Sequence, residues 1–543
     1  MSASAPSAPA QPAEAQKRPV LPYMILATLI ALAQGLGQGF VSNNLPQLAG
    51  NLGVSVADAS WLMAAYMAPR AALPLLLTKL RTQYGLLAFT RSALVFYALV
   101  SLAACFAQDF RSALTLQFVA GIAAAPMSTL AFLYMLEPLS QKLKIVFGLP
   151  MAMAVIMGAP SLARVLSPGL IGDGGFLEVH LLTLGMAFVT LALAFRLPLA
   201  PAPTQKVIEF ADLRTFTLIA FSFGAITVAS ILGPIYWWIE LDWIGGLLIL
   251  AILGFTLAVI SELYRKAPLI DFRWLASPAM LQMTGAMLVF RLLLSEQSSG
   301  APRMFQVLGF GQDAFMGLFS LIVVAGLVVA PLCLALLRPG REPWFHAVAL
   351  VLIALGAFMD SASTVLTRPA DMFLSQTLIA FAGMLFMAPA MVMGLLAALK
   401  RGPAYLMSFI VVFLSTQSLG GVVGSGLFST IINHRQAFHL QTLTEQLRPE
   451  LTVVQNQIAA NMAGLAAQSA DMAANKAQAV ASLVQEAGRQ ATVMAYNDAY
   501  LLTALAALGA LAVLLLHQVY LLLTARLNAA APGPASSETG PTQ

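Results

Sequence analysis

The chain has 543 residues, of which 59% are hydrophobic and only 9% charged. Soluble domains carry roughly 25% charged residues, so a water-soluble protein is excluded and lipid must cover most of the surface. The net charge of +5 is small, and no basic stretch is interleaved with stacking aromatics, which excludes a nucleic-acid partner.

Residues 1–20 open with a Ser/Ala/Pro-rich stretch and read as a disordered cytoplasmic tail carrying Lys17 and Arg18. The apolar run behind it continues for about 20 residues without a small-residue cleavage pattern, so it is a spanning helix and not a signal peptide. Apolar segments long enough to span occur near 22–42, 59–78, 86–107, 112–135, 145–170, 178–197, 213–236, 243–264, 277–295, 313–337, 344–361, 371–399, 404–433 and 498–524. Segment two contains Pro69 and Pro74, and segment five contains Pro150, Pro160 and Pro168. Neighbouring helices can satisfy the backbone groups that such prolines free. Residues 529–543 form a second polar tail. Cys105 and Cys333 lie far apart in apolar segments and read as buried small hydrophobes.

With the N-terminus in the cytoplasm and sides alternating, seventeen of the 28 Lys and Arg fall on the cytoplasmic side. Seven, Arg303 among them, fall outside, and Arg70, Arg91, Arg164 and Arg291 fall within segments. This positive-inside pattern predicts an even number of spans and two cytoplasmic termini. Residues 434–497, between segments thirteen and fourteen, are long, polar and Ala/Gln-rich. Within them Leu443, Leu447, Leu451, Val454, Ile458, Met462 and Leu465 recur at helical spacing, with a break or restart at Pro449. Ser469 and Asp471 can start a second helix. The expectation is an extracytoplasmic helical hairpin, serving either as a cap over the outer mouth or as a docking surface.

Several stretches then point to a family. Asn44-Leu45-Pro46 is followed by Ala49-Gly50-Asn51-Leu52-Gly53 after segment one. Trp61 and Tyr66 form an aromatic pair in segment two, and Gly85 closes the loop behind it. Glu262 precedes Pro268-Leu269-Ile270-Asp271; Pro302, Gln306, Val307, Gly309 and Gly317 lead into segment ten; Tyr496-Asn497-Asp498-Ala499 opens the last segment. In this order the chain resembles the fourteen-helix drug:proton antiporters of the major facilitator superfamily, the EmrB/QacA group, over nearly its whole length. The resemblance implies an all-α polytopic membrane protein with the major facilitator fold and 14 transmembrane helices in a 6+2+6 order. It places a six-helix bundle at 21–198, a linker with inserted helices seven and eight at 199–268, and a second bundle at 269–528 that includes the hairpin. It also implies a bacterial inner membrane, and a periplasmic adaptor with an outer-membrane channel as partners. The chain departs from the family at the coupling apparatus. Gly37 stands where the family has an acid in helix one, Leu116 stands where it has a basic residue near the start of helix four, and only Gly85 survives of the motif after helix two.

No Asp or Glu falls near the middle of an assigned segment. Glu296 and Asp360, at segment ends, are the candidates for proton coupling, which needs a carboxylate that changes protonation as access alternates. Burying a guanidinium costs about 2.5–3.5 kcal/mol on the lenient insertion scale, so Arg70, Arg164 and Arg291 call either for an anionic substrate or for snorkelling to the headgroups. Gln38, Tyr66 and Gln117 join them as candidate substrate-binding residues; Gln282 and Gln417 are further amides that either line a wet cavity or cross-link helices. The leading reading is a secondary transporter exporting small amphipathic, anionic molecules by proton antiport. An uptake permease for organic acids and a non-transporting sensor or assembly protein on the same fold are the alternatives. No cofactor, metal cluster, nucleophile–base pair or phosphate loop is expected, so no enzyme.

Overall fold

Burying an apolar chain in lipid requires every backbone group to be paired within the segment, which leaves helices as the solution here. The computed structural model describes residues 19–530 except 172–174, 202–203, 239, 266–267, 339, 449 and 467–470. Residues 1–18 and 531–543, which are most of the two tails and include Lys17 and Arg18, lie outside the described residues, as do Pro449 and Ser469. The long helices are α1 (Val20–Asn43), α2 (Val56–Tyr84), α3 (Leu86–Ala104), α4 (Phe110–Leu136), α5 (Leu149–Leu170), α6 (Leu177–Arg196) and α7 (Phe210–Tyr236). They continue as α8 (Asp242–Leu263), α9 (Pro278–Leu293), α10 (Met316–Leu336), α11 (Glu342–Asp360), α12 (Phe373–Arg401), α13 (Pro403–Gln446) and α14 (Met472–Ala530). Each apolar run of the sequence falls in one of them. Among the described residues, twelve helical stretches are long and apolar enough to cross a membrane; α2, which carries Arg70, Lys79 and Arg81, and α13 are not among these twelve.

One core gathers side chains of α1 to α6, including Tyr23, Leu26, Tyr97, Leu130 and Tyr134. A second gathers α9 and α11 to α14 around Phe290, Ile353, Phe386 and Phe409. Helix α7 packs against α2 and α13, and α8 leans on α7, exposing Ile249, Leu250, Ile252 and Leu253. At one end these helices are stapled by ion pairs. Buried Asp212 meets Lys79 Nζ at 2.6 Å and Arg265 Nη1 at 2.8 Å, and Arg265 also reaches Glu262 at 2.8 Å.

One expectation is corrected. Segment nine does not end at 295. Helix α9 continues through the short helices Ser295–Ser299 and Ala301–Val307, so the candidate span runs Pro278–Val307. The break sits at Gly300, ahead of Pro302, whose ring nitrogen has no hydrogen to donate. Within 443–465, α13 runs unbroken to Gln446 and a separate helix, Thr452–Ala466, packs on α14. The helix that follows runs on into segment fourteen, so that α14 is continuous for 59 residues. The base of the region is tied by Arg435 Nε and His439 Nε2, at 2.5 and 2.6 Å from Asp498.

Helices α1 and α5 approach closely because Gly39 has no side chain. A Cβ there would lie 2.5 Å from Ala163 Cβ and 2.9 Å from Pro160 Cα. Gly39→Val should therefore lower stability by about 1–3 kcal/mol, as overpacking does. Gly50→Ala, with nothing within 4 Å of the new Cβ, should be neutral by the same thermal melt of purified protein. Equal melting of the two variants would contradict this packing.

Candidate functional site

Polar side chains scattered along apolar helices must face one another or water, since lipid offers them no partner. Here many of them converge on a cavity of about 750 Å³. Helices α1, α2, α4 and α5 line it from the first six, and α9, α10, α12 and α13 from the last six, with α7 closing one side. Its lining reaches Leu45, Val56, Val307 and Asn433 at one end and stops near Pro74, Ala154 and Leu414. Below that floor, Ala154 packs with Val329, Ala330 and Met384. Ile145 and Val146 pack with Ala388, Val392 and Leu337. The two sets of helices are thus sealed together by apolar contact on the side opposite the mouth.

Arg70, at the middle of α2, lines the cavity. Its guanidinium donates to Gln34 Oε1 at 2.5 Å and to Gln38 Oε1, and lies 5.8 Å from the Tyr66 ring centroid. Gln38 lines the cavity beside it. Tyr66 is buried and does not line the cavity; its ring lies beside the Arg70 guanidinium. Arg291 also lines the cavity. Its Nε donates to the Gln417 carbonyl at 3.3 Å, and a Cβ on Gly421 would come 2.7 Å from its Nη2. The bare backbone of α13 is what lets this guanidinium lie down. Gln417, 7% exposed, has neither end of its side-chain amide hydrogen-bonded.

Arg164 is 8% exposed, lines the cavity, stacks 5.0 Å from the Phe319 ring centroid and leaves Nη1 without a partner. Arg303 stands within electrostatic reach of it and donates to Ser429 Oγ at 2.7 Å. Placing Arg303 in an outer loop was an error of the segment boundary at 295; it is a cavity residue. Among the described residues, no Asp, Glu, His or Lys lines the cavity. Four guanidiniums face it; neutral acceptors orient Arg70, Arg291 and Arg303 without cancelling their charge, and Arg164 rests on the Phe319 ring.

Gln117 does not join them. It is half-buried in the first turns of α4, which reaches the cavity two to three turns later at Ala125 and Ser128. Gln282 is exposed on α9.

The carboxyls form a second, separate site. Glu296 is 0% and Asp360 3% exposed, so Glu296 is no rim residue. The Gln376 side-chain amide donates to both, at 2.9 Å to Glu296 Oε1 and 2.7 Å to Asp360 Oδ2, and the Ser375 hydroxyl donates to Asp360 Oδ1. No ion pair reaches either acid among the described residues. Glu296 Oε2 and the neighbouring Tyr500 hydroxyl have no hydrogen-bond partner. One turn-neighbour of Glu296 faces the other way: Gln297 lines the cavity and donates to the Gln376 carbonyl at 2.9 Å. Neither Gln376 nor Arg303 was singled out from sequence. The signal available was an amide inside the apolar run 371–399 and a basic residue just past an uncertain helix end.

No protein-family model matches the sequence, and no curated protein sequence matches it. Solved structures do share its shape. The human organic anion transporter MFSD10 is 14% identical, with 92% of this chain and 100% of that chain covered at a TM-score of 0.52. A bacterial homologue of the human drug peptide transporters PepT1 and PepT2 is 14% identical, with 94% and 100% covered at 0.57. A bacterial homolog of the human lysosomal transporter Spinster is 14% identical, with 92% and 97% covered at 0.50. The chain has the major facilitator fold. It is an all-α, multi-pass membrane protein.

Proposed function

We propose that the protein is a secondary transporter that exports small amphipathic organic anions by alternating access in exchange for protons. The observation that carries this reading is a central cavity faced, among the described residues, by four arginines and no acid, with Met67, Phe319, Ile322, Met384 and Met387 as apolar wall. An anion pairs charges that a neutral or cationic substrate would leave uncompensated. A site shared between the first and last six helices is what rocking of two bundles about a substrate requires. MFSD10, one of the proteins of similar fold, is described as an organic anion transporter. Taken with the positive-inside pattern, α2 and α13 complete fourteen spans with both termini in the cytoplasm of a bacterial inner membrane. The cavity then opens outward and the apolar seal lies on the cytoplasmic side.

In the same reading Glu296 and Asp360 form the proton site. Two carboxyls on one amide, with no cation beside them among the described residues, favour a state in which they share a proton. Gln376 and Gln297 connect that site to the cavity wall. In this reading the region 434–497 projects outside and docks the periplasmic adaptor of an outer-membrane channel.

Arg70→Lys should weaken binding of an acidic amphipathic substrate to purified protein, and Arg70→Gln should weaken it further, by about 1–3 kcal/mol, as loss of a charge-assisted hydrogen bond does. Unchanged affinity in folded Arg70→Gln would refute the cavity role. In proteoliposomes, Glu296→Gln and Asp360→Asn should abolish substrate movement driven by a pH gradient while sparing substrate–substrate exchange; gradient-driven uptake at the normal rate would remove the pair from coupling. Deleting 445–490 should leave membrane insertion intact and abolish resistance in whole cells. Normal export by the shortened protein would rule out the docked partner.

A further inference from the structure

The four arginines are not one cluster. Arg70 and Arg291 sit near the middle of their segments, α2 and Pro278–Val307. Arg164 lies six residues before the end of α5, and Arg303 four before the end of its segment, on the side of the mouth. Twelve residues separate Arg291 from Arg303 along one chain segment, at most about 18 Å of helical rise. Each level takes one arginine from the first six helices and one from the last six.

The partners at both levels are neutral: the Gln34 and Gln38 amides and the Gln417 carbonyl at the deep level, and the Ser429 hydroxyl and the Phe319 ring at the outer one. One small anion at the deep level would leave Arg164 and Arg303 facing each other, with Arg164 Nη1 still unpartnered and 92% of that residue buried. Guanidiniums held in fixed orientation match carboxylate or phosphate oxygens in paired hydrogen bonds. Resting on the organic-anion reading above, we propose that the substrate carries two separated anionic groups, one gripped by Arg70 and Arg291 and the other by Arg164 and Arg303, joined by an apolar spacer lying along Met384, Ile322 and Phe319. Each anionic group then bridges the two sets of helices, so that a doubly charged molecule draws them together at two depths.

The test is calorimetric titration of the purified full-length protein at constant ionic strength. The probes are α,ω-dicarboxylates from hexanedioate to tetradecanedioate, with their monomethyl and dimethyl esters. At some chain length the dioate should bind one per chain, about tenfold or more tighter than its monoester. Arg164→Gln and Arg303→Gln should each bring that ratio close to one, and Arg164→Lys should restore part of it. Equal affinity for dioate and monoester at every length, two monoesters bound per chain at the affinity of one dioate, or no dioate binding at all would overturn the two-anion proposal. Monoesters binding no better than neutral diesters would instead bring down the organic-anion reading beneath it. The wild-type series decides between these results even if an arginine variant fails to fold.

Discussion

A guanidinium left facing hydrocarbon is among the most costly things a membrane protein can contain, and this chain holds four of them in the wall of one cavity. Much of the architecture can be read as the means of keeping them wet and aimed. The helices that carry them face inward in a ring. Amides at Gln34 and Gln38 fix the orientation of Arg70 without removing its charge, and the bare backbone at Gly421 lets Arg291 approach α13. Had each arginine been matched by an acid in the same wall, the cavity would be neutral and far less selective for the charge of its occupant.

Glu296 is kept out of that wall by a break in a helix. Glu296 and Gln297 are adjacent in sequence, yet one is buried against α11 and α12 and the other lines the cavity. A short helix closed by Gly300 places these neighbours on opposite sides, so the negative and positive sites are separate but share an element. Gln376 is contacted from both sides, through its amide by the acids and through its carbonyl by Gln297.

The spans were legible because a run of apolar residues has essentially one fate in lipid. Arg70, Arg164 and Arg291 were legible as a group for the related reason that residue type alone makes them costly there. What hydropathy could not show was direction. Gln117 and Gln282 are as polar as Gln38, but the weak amphipathicity of buried helices gives no clue to which face meets the cavity. The stretch Ser295-Glu296-Gln297-Ser298-Ser299 looks like a loop because its polarity is satisfied by tertiary contacts, invisible in the sequence, and that one boundary concealed both Arg303 and the setting of Glu296. The motif Tyr496-Asn497-Asp498-Ala499 was conspicuous, while its work, tying α14 to α13 and to the Ser363 carbonyl, emerges only in three dimensions.

Helix α14 is unbroken from Met472 to Ala530. Its first 26 residues, ahead of Asp498, amount to about 39 Å of rigid rod at 1.5 Å per residue, cross-braced by α13 and by Thr452–Ala466. Such a rod is a pointer fixed to the last six helices. A tilt of about 10° at its base sweeps the tip sideways by about 7 Å, given that length, more than a full helical turn. Small angular changes at its base are thereby written at larger scale at its tip.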